Sequence, residues 1–123
     1  MAFRDLAFRD LGFKVRSAER DAQTDSERLG SISAAVEAAV ASIRRERDAL
    51  RARVDAARDQ AAFATGTDYD EYLTRDAKDA AMIKEYEQQM ASGEKRIQEL
   101  ERQLGGLGAT QEVFGRYFSD KVR

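Results

Sequence analysis

The chain has 123 residues, 36% of them charged and 8% aromatic, and it contains no proline, cysteine, histidine or tryptophan. Without Cys or His there are no disulfides, no thiolate catalysis, no Cys-based metal sites and none of the commonest general base. The net charge of −2 argues against nucleic-acid binding through a basic surface, and an alanine-rich, highly charged, aromatic-poor composition belongs to long helices that bury a seam rather than a globular core.

Residues 2–15 hold a near-repeat, Ala2-Phe3-Arg4-Asp5-Leu6, Ala7-Phe8-Arg9-Asp10-Leu11 and Gly12-Phe13-Lys14-Val15. Its five-residue period cannot keep three phenylalanines on one helical face. A seven-residue spacing serves better: Phe8, Val15, Ala22 and Leu29, with Leu11 and Ala18 interleaved. Phe3 and Phe13 then lie off the stripe. Thr24-Asp25-Ser26-Glu27 has the form of a capping box, which starts the main helix or marks a bend in a longer one.

From there the pattern is regular. Leu29, Val36, Ile43, Leu50, Ala57 and Ala64 are seven apart, and Ser33, Val40, Arg47, Val54 and Ala61 fill the second core position. The period of 3.5 predicts a left-handed coiled coil. Gly66 suits a helix C-terminus. Thr67 or Asp68 can cap the next helix, with Asp70 and Glu71 in its first turn, where carboxylates meet unpaired N–H groups and the positive end of the dipole. A turn at residues 65–68 is therefore expected. Tyr69, Asp76, Ile83, Met90, Ile97 and Leu104 form one core set of the second helix, and Tyr72, Asp79, Tyr86, Gly93, Leu100 and Leu107 the other. Near the turn Leu73, Ala77 and Ala80 compete for the seam, a local stutter. Either that stutter turns Asp76 and Asp79 outward, the favoured reading, or these carboxylates bind something, since a bare seam carboxylate is costly.

Folding at Gly66 predicts antiparallel pairs whose residue numbers sum to about 133. Leu29 then meets Leu104, Val36 meets Ile97, Ile43 meets Met90, Val40 faces Gly93 and Arg47 faces Tyr86. Gly105-Gly106-Leu107-Gly108 is expected to break the second helix, and Thr110 to cap a short amphipathic piece with Val113, Phe114, Tyr117, Phe118 and Val122 on its apolar stripe. In this register Phe118 lies near Val15, and the aromatics gather away from the turn. Two readings stand for them: a small closing core, or a partner-binding surface formed by Phe3, Phe13, Phe114, Tyr117 and Phe118.

The predicted architecture is thus all-α, one domain over residues 1–123: helix one at about 3–64 with a bend near 24, a turn at 65–68, helix two at about 68–104, a glycine-rich break at 105–108 and a short helix at 110–122. A stripe of Ala35, Ala39, Ser42, Ala49 and Ala56 offers a close-packing face, so dimerisation into a four-helix bundle is expected. Residues 44 to 58 carry six arginines against three acids, read as a solvated face with i,i+4 pairs. Asp68, Asp70 and Glu71 make an acidic tip without the spacing of a calcium loop. The glycine cluster has no following Lys-Ser or Lys-Thr for phosphate. No cofactor, metal or catalytic residue is expected, and the chain is read as no enzyme. No uncharged run approaches the ~20 residues of a membrane span, and the charged N-terminus does not read as a signal peptide, so a cytoplasmic protein is expected.

The hairpin, its length, and the Gly66, Tyr69, Tyr72 and Leu73 pattern opening the second helix resemble the FliJ and YscO type of coiled-coil export protein. That resemblance implies an attendant of the ATPase of flagellar or type III secretion, although this chain ends sooner after Leu104 than that family often does. The acidic tip alone is similar to that of the Gre and DksA type of factor, which implies insertion into the secondary channel of RNA polymerase; the docking domain or zinc site of those factors is missing here. The leading expectation is a protein–protein interaction module: scaffold, adaptor or export chaperone, as homodimer or assembly subunit. The alternative is an acidic-tipped regulator of a large enzyme, or a structural subunit of a larger assembly.

Overall fold

A computed structural model of the chain contains two α-helices, α1 at Ala2–Gly66 and α2 at Ala77–Phe118. The structure describes residues 2–66 and 77–119, with side chains over 17–64 and 79–119. Among the described residues there is no strand, and the two helices pack against each other as a hairpin. The expected turn residues Thr67, Asp68, Tyr69, Asp70, Glu71, Tyr72, Leu73 and Asp76 lie outside the described residues. So do the side chains of Phe3, Phe8 and Phe13 and the residue Val122.

The helices form because nothing in them forbids it. Proline is absent, and Ala, Arg, Glu, Gln and Leu dominate. Helix α1 passes without interruption through Thr24-Asp25-Ser26-Glu27, so the capping-box residues do not start a helix. They are spent on the helix surface, where Gln23 donates from Nε2 to Glu27 Oε1 at 3.3 Å and Arg28 lies 4.0 Å from Asp25.

The expected break at Gly105-Gly106-Leu107-Gly108 is absent, because α2 runs through it to Phe118. Each glycine costs a helix about 1 kcal/mol relative to alanine. Against that, Leu104, Leu107 and Phe114 continue the seven-residue stripe and are each partly buried. Packing along the stripe outweighs local propensity, so the separate C-terminal helix expected at 110–122 is the last part of α2.

The chain forms two compact units. Unit 1 comprises Met1–Ala38 and Ala109–Arg123, and unit 2 comprises Ala39–Gly108. In unit 2 the predicted seam residues are the ones withdrawn from solvent. Val54, Ala57, Ile97 and Leu100 are buried, while Val40, Ile43, Arg47, Leu50, Ala61, Ala64, Ile83, Tyr86, Met90, Leu104 and Leu107 are intermediate. Asp79 is exposed, which agrees with its rotation out of the seam.

The pairing differs from the predicted one. A Cβ built on Gly93 would lie 2.5 Å from Val54 Cγ2, so Val54, not Val40, stands against Gly93. The residue numbers of that pair sum to 147, two heptads beyond the predicted 133. Leu50 now stands level with Ile97, Ile43 with Leu104, Arg47 with Leu100 and Ala61 with Tyr86. The physical reason is that a seam repeating every seven residues looks the same after a slip of seven or fourteen. The predicted register was anchored on Gly66 as the turn, yet Gly66 is still helical at the end of α1.

Among the described glycines, Gly93 is therefore the one whose missing side chain is needed for close approach. Gly30, Gly105, Gly106, Gly108 and Gly115 have nothing within 4 Å of an added Cβ. The contacting valine is β-branched and cannot swing away within a helix. Gly93→Ala should lower stability by about 1 kcal/mol or more despite its better helix propensity, since overpacking costs about 1–3 kcal/mol. Gly105→Ala and Gly106→Ala should each raise it by about 0.5–1 kcal/mol. Thermal melts followed by far-UV circular dichroism would show the opposite signs, and adding Val54→Ala to Gly93→Ala should give a non-additive total.

Candidate interaction surfaces

In unit 1 the helices part enough to leave an open groove of about 340 Å³. Ile32 and Val36 of α1 form one wall, and Phe114 and Phe118 of α2 the other, with Ser33 and Gly115 between them. The aromatic wall is a stack within one helix. Phe114 and Phe118 are four residues apart and so lie on the same face; their ring centroids are 5.1 Å apart at an interplanar angle of 51°. Tyr117 joins Phe118 at 6.3 Å and 47°. Such tilted arrangements are the favoured geometry for aromatic pairs. The backbone beneath is closed by Ser119 N–H donating to Gly115 C=O at 3.0 Å, and Arg116 pairs with Glu112 on the outer face at 2.9 Å.

The structure brings Phe114, Tyr117 and Phe118 together, as expected, but divides their roles. Phe114 is partly buried and packs as core. Tyr117 is 76% exposed and packs on Phe118, while Ile32, about half exposed, lines the groove from α1. Phe118 was expected near Val15 and Phe114 near Glu19; both instead face Ile32, Ser33 and Val36, the same slip as in unit 2. Ile32 was missed because it sits one residue before the seam position Ser33. Its signal was a large aliphatic off the seam.

The flanks of the seam in unit 2 carry the charge pattern of an antiparallel pair. On one flank Arg51 pairs with Glu101, and Arg58 bridges Glu94 and its own-helix neighbour Asp55, each at 3.2 Å. On the other, Arg96 spans both oxygens of Glu46, from Nε at 3.1 Å and Nη2 at 3.3 Å, while Nη1 donates to Glu99 at 3.2 Å. The fork raises the guanidinium's already high pKa, chiefly through its hydrogen bonds to Glu46 and then Glu99. The sign of that shift means that Arg96 stays charged through the neutral range and that its stabilising contribution is lost as the pH rises through the raised value. A slip of one heptad would also offer Arg44–Glu101, Arg51–Glu94 and Arg58–Glu87. The Glu46–Arg96 fork and Val54 over Gly93 separate the two registers.

Three of the six arginines of residues 44–58, Arg47, Arg51 and Arg58, are thus paired with the hairpin's own acids, Arg47 with Asp48 at 3.2 Å. Among the described residues no group of Asp or Glu could hold a metal ion, no buried side-chain polar atom lacks a partner, and no helix is long and apolar enough to cross a membrane. The acidic-tip residues Asp68, Asp70 and Glu71 lie outside the described residues. No protein-family model matches this sequence, and no curated protein or solved structure is significantly similar to it.

The flanking pairs give a test of the register. Arg51→Glu should lower the melting temperature, and adding Glu101→Arg should restore it. Adding Glu87→Arg, the partner of Arg51 in the register read from sequence, should not. The pairs are exposed, so the shifts should be small and should shrink in high salt.

Proposed function

We propose that the chain is a coiled-coil protein–protein interaction module without catalytic activity, a scaffold, adaptor or export chaperone, that takes a protein partner on the groove of unit 1. One observation carries this reading. Ile32, half exposed, and Phe118, 36% exposed, line an apolar groove, and the 76%-exposed Tyr117 packs on Phe118. Aromatic and large aliphatic side chains clustered at a water-facing groove are what a partner's apolar anchor recognises. A groove between two helices suits an amphipathic helix that inserts one or two such anchors. A link to a secretion or flagellar apparatus rests on the resemblance of the helical hairpin to export proteins of the FliJ and YscO type. Homodimer or assembly subunit is the expected setting, since a two-helix seam leaves much of each helix open to further packing.

The experiment is a comparison of partners retained from extracts of the native host. Tyr117→Ser with Phe118→Ser should lose the proteins that the unaltered chain retains, with helicity unchanged by circular dichroism. Asp68→Ser, Asp70→Ser and Glu71→Ser together should keep them. The reverse result would sink the groove and favour the acidic-tip regulator.

A further inference from the structure

Unit 2 has two unlike flanks. The flank of Arg51, Arg58, Glu94 and Glu101 is filled with complementary charge. The opposite flank of α1 runs through Ala39, Ser42, Ala49, Ala56 and Phe63, at the spacing of a second seam. Phe63 is 72% exposed, and Met82, on the same flank of α2, is 39% exposed. Among the described residues these are the large exposed hydrophobics of unit 2, and both line one groove on this side. Only two charges interrupt the α1 stripe, Glu46 and Arg53, one heptad apart and opposite in sign. Glu46 belongs to a cluster in which two carboxylates share one guanidinium, Glu46 and Glu99 on Arg96, leaving a net negative charge. Arg53 makes no ion pair among the described residues.

We propose that this flank is the interface with a second copy of the chain, the two α1 helices packing antiparallel about a two-fold axis between Ala49 and Arg53. A two-fold contact must be self-complementary, and the stripe meets that condition in three ways. Ala49 and Ala56 beside the axis are small, which lets the helices approach. Arg53 of each copy comes within reach of the Glu46 cluster of the other, and the relation is reciprocal. Phe63 of each copy stands level with Ala39 of the other, large against small. A parallel arrangement would instead set Arg53 on Arg53 and Phe63 on Phe63. This face is distinct from the groove of unit 1; the inference makes specific the homodimer setting of that reading and does not depend on the groove.

Light scattering and sedimentation equilibrium on the full chain should show a dimer in concentration-dependent equilibrium with monomer. Arg53→Glu and Phe63→Ser should each weaken it at least about tenfold, as for residues central to an interface, while circular dichroism shows the hairpin still helical. Orientation is read by cross-linking, which is clean because the chain has no cysteine of its own. Under mild oxidation a mixture of Ala39→Cys and Phe63→Cys chains should yield a disulfide-linked pair containing one of each, and neither chain alone should link. A strict monomer at high concentration would overturn the proposal. So would a dimer indifferent to Arg53→Glu and Phe63→Ser, a dimer dissociated by Phe118→Ser instead, or self-linking of Phe63→Cys.

Discussion

The contact of Val54 with the bare backbone of Gly93 is the constraint on which unit 2 depends. A side chain at position 93 would stand within 2.5 Å of a valine methyl, so the helices approach at that level only because glycine is there. The close approach fixes the register, and the register fixes everything beside it. Leu100 and Ile97 become the most withdrawn side chains of α2, with Val54 and Ala57 their counterparts on α1. Arg96 reaches both oxygens of Glu46, and Arg51 and Arg58 find glutamates across the seam. These exposed ion pairs add little stability singly. Their value is discrimination, because a slipped register loses the Arg96 fork and sets a larger residue where Gly93 belongs.

A seam of this kind buries little. Four apolar side chains are buried among the described residues, and most of the rest of the stripe is only partly buried. Two helices in contact can cover only one stripe on each, so large apolar side chains beside the stripe are left facing water. In unit 1 those are Ile32, Val113 and Tyr117; in unit 2 they are Phe63 and Met82. Each costs solubility unless something covers it. A seam of two helices therefore leaves apolar surface beside itself. The charges placed across the seam neutralise each other, while Arg53 makes no ion pair among the described residues.

Read alone, the residues of this chain determine that it is helical and which side of each helix turns inward. Every seam position named on α1 from Leu29 to Ala64, and on α2 from Ile83 to Leu107, is buried or partly buried, because a seven-residue apolar repeat has only one way to be hidden. The clustering of Phe114, Tyr117 and Phe118 was equally legible, since residues three and four apart share a face. The partner of each seam residue was not, because the repeat looks the same after any whole-heptad slip; that choice needed the shape of Gly93 against Val54 and the forked pairing of Arg96, both properties of two helices together. Nor was the continuity of α2 through three glycines, since local propensity points to a break and only packing of Leu104, Leu107 and Phe114 opposes it. Tertiary structure likewise decided that Phe114 is partly buried while Tyr117 stays exposed, for exposure depends on what the facing helix brings to the same level.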